Sequence, residues 1–278
     1  MREILLNIGG IAVLVANGNE EFISLLKDKY KDFVMECSGL ENIRIEMNNK
    51  RIENETPRIT IDKDEQQYSI IGDEFLGKLN IEDKRCVVYM RNNESLFDTF
   101  LRVLFSVLLV YQEGFLVHAS GISREGKGFL FPGASEHGKT TTARRFCESV
   151  IFSDELVIVK KQDDGFYLFP SPFAGEFVGS NMNEPARLEK VFILTREHIG
   201  VTEKVKDFES FLSLLERIFF FASDAVLNQK LIDLAKQLCT RVACFKMNIM
   251  EEKNLERIFD EISKDDDRAQ CPGSLAGN

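Results

Sequence analysis

The sequence has few of the residues that build metal centres and disulfide frameworks. It contains six cysteines and three histidines. The cysteines are scattered without C-x-x-C spacing, and the closest pair, Cys239 and Cys244, has no histidine nearby. Zinc sites and redox motifs need such close spacing. We therefore predict free thiols in a reducing compartment, and no metal site at the cysteines.

Positive charge is also scarce. There are 35 lysines and arginines against 45 aspartates and glutamates, which gives a formal net charge of -10. Nucleic acids and anionic membranes select clustered basic side chains. We therefore expect neither a nucleic acid nor a membrane as the main partner. A local basic pocket for phosphates remains compatible with an acidic chain.

The sequence lacks a hydrophobic run long enough to cross a bilayer. Its most apolar stretch, Leu96–Tyr111, is short and is interrupted by Asp98 and Arg102, so we predict a helix buried on most sides. Ser95 is the expected N-cap, and Gly114 is expected to end the helix. The N-terminal residues do not have the pattern of a signal peptide. These features predict a cytoplasmic protein.

The pattern that is present is that of an α/β protein. Hydrophobic residues make up 44% of the chain and charged residues 29%, which is ordinary for a globular domain. The length is enough for one large domain or two small ones. We predict a small α+β N-terminal lobe at 1–94, a second domain at 95–265 and a disordered tail at 266–278. No internal repeat is visible.

Apolar periodicity and turn residues predict the individual elements. A hairpin with its turn at Gly9-Gly10 and a long loop over Pro170–Pro185, where glycine and proline are frequent, are expected. The predicted strands are Ile4–Val15 (as the hairpin), Ile43–Met47, Arg58–Ile61, Tyr68–Ile71, Cys86–Met90, two within Phe115–Phe131, Val150–Phe152, Leu156–Val159, Phe166–Phe169, Val191–Leu194 and Val242–Met247. The predicted helices, besides Leu96–Tyr111, are Glu20–Phe33, Thr140–Glu148, Phe208–Phe221, Ala225–Leu238 and Asn254–Ile262.

One segment carries a specific motif. Residues Gly133–Thr140 fit the P-loop pattern G-x-x-x-x-G-K-S/T, with the β-like run Gly128–Phe131 before it and a predicted helix after it. The glycines allow the loop to curl so that backbone N–H groups face phosphate oxygens. Lys139 would reach the β- and γ-phosphates, and the Thr140 hydroxyl would ligate Mg²⁺. The predicted nucleotide-binding residues are Gly133, Ala134, Ser135, Glu136, His137, Gly138, Lys139, Thr140 and Thr141.

Two residues of the loop are unusual for a phosphate site. A carboxylate at Glu136 is unfavourable beside polyphosphate unless it points outward. His137 has two interpretations, a protonated contact to the γ-phosphate or a solvated loop histidine.

Two neighbouring acids follow the P-loop helix. Asp154 and Glu155 lie at the end of a predicted strand, where an acid in a P-loop protein faces the phosphates. Asp154 would hold Mg²⁺ or accept a proton from an attacking hydroxyl. The alternative is a simple polar turn. His118 lies in an apolar strand, and spacing leaves open whether it is structural or functional, whereas His198 reads as a surface residue.

These motifs together resemble the catalytic domain of HPr serine kinases and their relatives, a group related to the phosphoenolpyruvate carboxykinases. The similarity covers roughly 115–262. It includes the P-loop and four flanking stretches: His118-Ala119-Ser120-Gly121, Phe131-Pro132, Phe152-Ser153-Asp154-Glu155 and Pro172-Phe173-Ala174-Gly175-Glu176. The downstream glycine-rich signature of true HPr kinases is not found, so HPr itself is not the expected substrate. Relatives of this shorter type include kinases that phosphorylate serine in ribosomally made peptides.

The resemblance implies roles for single residues. Asp154 matches the catalytic acid or base, and His118 matches the histidine near the transfer site. Glu155 stands where true HPr kinases usually have an aspartate that assists with magnesium. Glu176, on the long loop, is a candidate for substrate or metal contact, with a solvated loop acid as the alternative. Lys139 completes the predicted catalytic set, and Thr140, Asp154 and Glu155 are the predicted metal ligands.

The resulting prediction is a P-loop kinase domain of the HPr kinase/phosphoenolpyruvate carboxykinase type with a small α+β lobe. It would use ATP, or another nucleoside triphosphate, and Mg²⁺ to phosphorylate a hydroxyl, with serine as the first expectation. The acceptor would be a peptide, a protein or a small molecule, and a homo-oligomer is left open. The alternatives are a regulator that binds nucleotide without transferring phosphate, and carboxykinase-like phosphoryl transfer to a small carboxylate.

Overall fold

The structure is a computed structural model that describes residues 2–36, 41–53, 58–64, 66–134, 137–146, 149–177, 184–197 and 202–248. These residues form a mixed α/β molecule with two eight-stranded sheets. The strands are β1 (Arg2–Ile8), β2 (Ile11–Asn17), β3 (Val34–Met35), β4 (Ile43–Asn49), β5 (Thr60–Asp64), β6 (Gln67–Gly72), β7 (Phe75–Asn80), β8 (Arg85–Met90), β9 (Gly114–Arg124), β10 (Lys127–Pro132), β11 (Val150–Ser153), β12 (Leu156–Gln162), β13 (Gly165–Phe169), β14 (Ala186–Leu194), β15 (Thr202–Lys204) and β16 (Ala243–Met247). The helices are α1 (Glu20–Lys29), α2 (Glu94–Tyr111), α3 (Lys139–Arg145), α4 (Asp207–Leu215) and α5 (Ala225–Arg241), with a 3-10 turn at Lys31–Phe33.

The first sheet is built from the N-terminal residues in the order β3-β1-β2-β4-β8-β7-β6-β5. Its first hairpin confirms the predicted turn, since Gly9 and Gly10 have φ values of 58° and 78°, a region that favours glycine. Strand β7 was not predicted, although it pairs along its length with β6 and β8. Its Gly77 allows close packing, because a Cβ there would lie 2.7 Å from the ring of Phe100 on α2.

Helix α2 lies at the centre of the molecule, and twelve of its side chains are buried, as the sequence predicts. The predicted N-cap is wrong: Asn93, not Ser95, accepts the N–H of Leu96. The helix ends at Tyr111, and Gly114 is the first residue of β9. A single buried apolar cluster extends from the first sheet through α2 to the second sheet and α5.

The second sheet has the order β10-β9-β12-β13-β14-β16-β15, with β11 paired to β9. Strand β14 runs parallel to β10 and to β16, and the other pairs are antiparallel. The predicted hairpin of β12 and β13 is confirmed. The segment Gly133–Gly138 directly follows β10 and leads into α3, so this sheet positions the P-loop motif.

Three helix predictions are too long at their C-terminal ends. Helix α1 ends at Lys29 rather than Phe33, and a separate 3-10 turn covers Lys31–Phe33. Helix α3 ends at Arg145. Helix α4 ends at Leu215 rather than continuing to Phe221. The residues after α4 pair with β9 instead: Ile218 forms a bridge with Val117, and the N–H of His118 donates to the carbonyl of Arg217 at 2.8 Å. Pairing with a strand edge therefore overrides the apolar helical pattern. Helix Asn254–Ile262, like His198, lies outside the described residues.

Three cysteines, Cys86, Cys239 and Cys244, are buried free thiols, which confirms the prediction for them. The other three, Cys37, Cys147 and Cys271, lie outside the described residues. In the part of the chain that the structure covers, no helix combines the length and apolarity needed to cross a membrane.

Candidate active site

The P-loop motif lies between β10 and α3. Gly138 is the N-cap of α3 with a φ of 94°, so this position favours glycine. Gly133 is packed closely, because a Cβ there would lie 3.0 Å from the Cβ of Leu194. The backbone shape of the loop therefore depends on both glycines of the motif. Ser135 and Glu136 lie outside the described residues.

Lys139 points back into its own loop. Its Nζ donates hydrogen bonds to the carbonyl oxygens of Gly133 at 3.1 Å and Ala134 at 3.0 Å. Partial burial, followed by the positive charge of Arg217, lowers the pKa of the Lys139 ammonium below its ordinary value. Both effects disfavour the charged form, and an anion beside the ammonium would favour it.

Asp154 is the best-supported acid of the site. The Thr140 hydroxyl donates to its carboxylate at 3.1 Å. The backbone N–H groups of Gly175, Glu176 and Phe177 donate to the same carboxylate at 2.8, 3.1 and 3.2 Å. The residue is only 3% exposed. Four donors therefore converge on two carboxylate oxygens, which matches about all of their acceptor capacity.

The loop after β13 must come close to reach Asp154. A Cβ on Gly175 would lie 3.2 Å from Oδ2 and 3.3 Å from Oδ1 of Asp154. The Ser153 hydroxyl also donates to the carbonyl of Phe173 at 3.0 Å. The loop segment is thus attached to the end of β11 by side-chain and backbone contacts.

Glu155 is engaged differently from Asp154. Its carboxylate accepts from the Arg102 guanidinium of α2 at 2.8 Å, and its side chain is 38% exposed. Arg102 also donates to Asp98 one turn earlier at 2.7 Å. Arg102 neutralises the second acid of the predicted metal pair.

The motif residues share one cavity of about 330 Å³. It is lined by Gly138, Lys139, Thr140, Thr141, Asp154, Glu155 and Gly175. No cluster of three or more His, Cys, Asp or Glu side chains suited to a metal is present among the described residues. A larger open groove of about 560 Å³ lies along α5 beside Glu113. None of the predicted site residues lines it, so we assign the site to the smaller cavity.

The structure places the remaining predicted residues as follows. The His118 ring packs edge-on against Phe219 with centroids 5.5 Å apart, and burial, then the charge of Lys139, lowers the pKa of the imidazole. His137 shares a hydrogen bond of 3.0 Å between its Nδ1 and the carbonyl of Leu194. Glu176 forms a forked ion pair with Arg144 of α3, with contacts of 2.6 and 2.7 Å. The charged residues of the site therefore affect the pKa of His118, whereas the exposed Glu176 carboxylate is paired with Arg144.

The chain matches a described protein family. A family model described as the SynChlorMet cassette protein ScmC matches residues 86–252. That match covers more than half of the 278 residues. The chain belongs to the ScmC family. The matched range includes α2, the P-loop motif and both acids of the site.

The structural comparison gives a distant match. The solved Hpr(Ser) kinase/phosphatase from Coxiella burnetii is 12% identical, and the match covers 56% of this chain and 98% of that one with a TM-score of 0.24. A similarity this weak does not support any particular mechanism. No curated protein matches the chain.

Two basic residues of this ScmC-family site were missed by sequence reasoning. Arg217 follows α4 and affects the pKa values of both Lys139 and His118. Arg102 lies in an apolar helix, where its charge was noted only as an interruption. Neither belongs to a local motif, because each reaches the site through tertiary packing. The one available signal was a charged pair, Asp98 and Arg102, at i, i+4 in a helix predicted to be buried.

Proposed function

We propose that this protein binds a nucleoside triphosphate, with ATP as the first candidate, and transfers its γ-phosphoryl group to a hydroxyl. The observation that carries the proposal is the meeting of Lys139, Thr140 and Asp154 in one cavity, with the Thr140 hydroxyl 3.1 Å from the Asp154 carboxylate. A P-loop lysine, a hydroxyl for magnesium and an acid are the parts that phosphoryl transfer uses in this class of site.

Lys139 and Arg217 would supply the positive charge for the phosphates. The ammonium of Lys139 donates hydrogen bonds to two backbone carbonyls of its own loop. A phosphate oxygen is a stronger, charged acceptor, so exchanging these bonds for phosphate contacts is favourable. Arg217 adds a second positive charge that acts on the Lys139 ammonium. The basic pocket expected in an acidic chain would be formed by these two residues.

The donor set also fits magnesium. Mg²⁺ is commonly bound through one or two carboxylates, a hydroxyl, water and substrate phosphates rather than by a cage of protein ligands. Thr140 and Asp154 would provide those oxygens, with Glu155 close by at the same cavity. When bound, the ion would neutralise charge on the phosphates. Such a site needs no cluster of three acidic side chains.

The transfer itself is a displacement at the γ-phosphorus. The acceptor oxygen forms a bond to the γ-phosphorus. The bond between that phosphorus and the β–γ bridging oxygen breaks, and the nucleoside diphosphate leaves with the electron pair of that bond. The hydroxyl proton passes to Asp154 or to solvent. Asp154 has four donors on its carboxylate, the Thr140 hydroxyl and three loop N–H groups, so it must lose at least one of these contacts before it accepts a proton. We place the reaction in the cytoplasm as part of the proposal.

The same saturation of Asp154 favours a second candidate, a regulator that binds nucleotide without transferring phosphate. Asp154 is occupied by the loop, and Glu155 is occupied by Arg102. A site that never opens these contacts would still bind a nucleotide. The two candidates differ in whether phosphate reaches an acceptor.

Asp154→Asn separates the two functions. Asn has nearly the same shape but carries no charge, so nucleotide affinity should stay within about tenfold while transfer falls by roughly two to four orders of magnitude, the usual scale for acid–base catalysis. Transfer is measured from γ-labelled ATP into a lysate or a candidate serine peptide, followed by mass spectrometry. Asp163→Asn, in the exposed turn between β12 and β13, is the matched control and should leave transfer unchanged.

The outcomes are distinct. If Asp154 acts mainly through magnesium, binding of the metal–nucleotide complex falls as well, and extra Mg²⁺ partly restores it. A wild-type protein that binds ATP but labels no acceptor supports the regulator. Transfer that is undiminished in Asp154→Asn removes this acid from the mechanism.

A further inference from the structure

A chain of hydrogen-bonded polar side chains, buried at Tyr30 and Asp98, connects helix α1 to the candidate site. Tyr30, the C-cap of α1, donates its hydroxyl to Asp98 Oδ1 at 2.9 Å. Asp98 Oδ2 accepts from the Nε of Arg102 at 2.7 Å, and Arg102 NH1 donates to Glu155 at 2.8 Å. Lys29 adds a contact of 3.6 Å to Asp98. The chain ends at a residue that lines the site cavity.

Each member of this chain is held in place. The Tyr30 side chain is fully buried, and burial, then the charge of Asp98, raises the pKa of its hydroxyl well above its ordinary value. Tyr30 therefore remains a donor. The Arg102 and Asp98 side chains are only 18% and 12% exposed. Burying such charges is unfavourable unless they are paired, so the pairing fixes the guanidinium.

The guanidinium of Arg102 also touches the loop that covers Asp154. Its central carbon lies 5.8 Å from the centre of the Phe173 ring. Phe173 is fully buried and packs edge-on against Phe105 of α2 with centroids 5.7 Å apart. Arg102 thus contacts both Glu155 and the root of the segment Gly175–Phe177.

The charge of Arg102 acts inside the site. Burial, then the charge of Lys139, lowers the pKa of His118, and the charge of Arg102 acts in the same direction while that of Glu155 opposes it. Two adjacent acids without a compensating cation would repel the phosphates of a nucleotide. Arg102 balances one of them without occupying the cavity, since it is absent from the cavity lining.

We propose that Arg102 is the positioning residue of this site: anchored by Asp98 and Tyr30, it fixes Glu155 at the cavity and offsets its charge. The inference rests on the proposed function. It assigns a role to the lobe at 1–94, which would stabilise the guanidinium through Tyr30. Arg102 acts through Glu155 and touches no substrate.

The charge balance predicts opposite effects on two ligands. Arg102→Met removes the cation and leaves the Glu155 carboxylate unpaired. The affinity for Mn²⁺, used as a probe of the nucleotide-free protein, should rise by about three- to tenfold, while metal-free ATP should bind weaker by a similar factor. Mn²⁺ is measured by electron paramagnetic resonance, and ATP by calorimetry with EDTA. A merely structural ion pair would change stability without moving the two affinities in opposite directions.

Three variants make the test specific. Arg102→Lys keeps the charge but not the two-armed hydrogen bonding, so both affinities should lie between those of Arg102→Met and wild type. Arg102→Met combined with Glu155→Gln should also return both affinities towards wild type, because the unpaired charge is gone. If Arg102→Met fails to fold, Arg102→Gln is measured in its place, because it also removes the charge but keeps a hydrogen-bonding side chain.

The results that would overturn the proposal differ from those that would overturn the function. If wild type binds ATP and Mn²⁺ but both uncharged variants bind them equally well, Arg102 has no positioning role and the proposed function stands. If the double variant shows the same change as Arg102→Met, the effect does not pass through Glu155. If wild type binds neither ligand, both proposals fall together.

Discussion

At the level of single residues, Lys139 combines partial burial with hydrogen bonds to its own loop. The ammonium is partly buried, donates to Gly133 and Ala134, and has a lowered pKa because burial and Arg217 disfavour its charged form. A bound polyphosphate would add negative charge beside it and raise that pKa again. Protonation of Lys139 and nucleotide binding are therefore linked.

This linkage predicts a pH dependence of binding. Only the charged ammonium pairs with phosphate, so ATP affinity should be fully present below the lowered pKa of the nucleotide-free protein. It should decline as pH rises above that pKa, until the higher pKa of the nucleotide complex is passed. Between these two pKa values, binding should take up a proton. Calorimetry at alkaline pH in two buffers of different ionisation enthalpy measures that uptake.

A second lysine supplies the matched control for this measurement. Lys160 is also partly buried, and burial lowers its pKa, but its Nζ donates to the carbonyl of Gly9 at 2.9 Å, and it lines no part of the site cavity. Lys139→Met should abolish the alkaline proton uptake, whereas Lys160→Met should leave it unchanged. Uptake that persists in Lys139→Met would assign it to another group.

Single residues also show which roles the sequence can reveal. Lys139, Thr140 and Asp154 were predicted from a local motif and its strand context, and the structure brings them into one cavity. Arg102 and Arg217 come from a helix and a connecting segment that are distant in sequence. Nothing in their local pattern gives their distance to the site, so only tertiary structure reveals them.

At the scale of elements, the loop after β13 covers the acid that the proposed function needs. Three successive N–H groups from Gly175 to Phe177 donate to Asp154. The sequence predicted Pro170–Pro185 as a loop near the site, and 178–183 lie outside the described residues. The described part is attached to Asp154, so opening it requires breaking these bonds.

Gly175→Ala tests that attachment. An added methyl group would stand 3.2 Å from Asp154 Oδ2, closer than most such contacts, so the loop must shift and its hydrogen bonds weaken. Amide exchange at Gly175–Phe177, followed by nuclear magnetic resonance, should accelerate by about tenfold or more, equivalent to roughly 1.4 kcal/mol. Gly18→Ala is the control, because beyond its chain neighbours no atom would lie within 4 Å of the added methyl group.

The reverse result would be equally informative. Exchange at these amides that is as slow in Gly175→Ala as in wild type would show that the hydrogen bonds tolerate the methyl group. The loop would then be a fixed connector, and Asp154 would remain inaccessible to a proton. That result would favour the nucleotide-binding regulator.

Prediction of elements succeeded where the pattern was local. The hairpin at Gly9-Gly10 and the one joining β12 to β13 carry turn residues between β-forming runs, and both are present. Strand β7 was missed because Gly77 and polar neighbours read as a turn. Helix α4 was predicted too long because the pairing of Ile218 with β9 is a long-range contact.

At the scale of the whole molecule, the two sheets share one buried core. Side chains of the first sheet, α2 and the second sheet belong to the same cluster. A hydrogen bond and an ion pair also connect the first sheet to α5. The Tyr68 hydroxyl of β6 donates to Asp224, the N-cap of α5, at 2.7 Å, and Lys63 pairs with the same acid at 3.0 Å. The sequence predicted two regions and gave no indication of how closely they pack.

Calorimetric titration with ATP and Mg²⁺ is the sharpest test of whether the cavity lined by Gly138–Thr141, Asp154 and Glu155 binds a nucleoside triphosphate. Wild type should bind, and Lys139→Ala should bind about ten- to 150-fold more weakly with its fold intact, since losing a charged hydrogen bond costs about 1.5–3 kcal/mol. Lys160→Ala should bind as wild type does. Equal affinity in wild type and Lys139→Ala, or no binding by either, would show that this cavity is not a nucleotide-binding site.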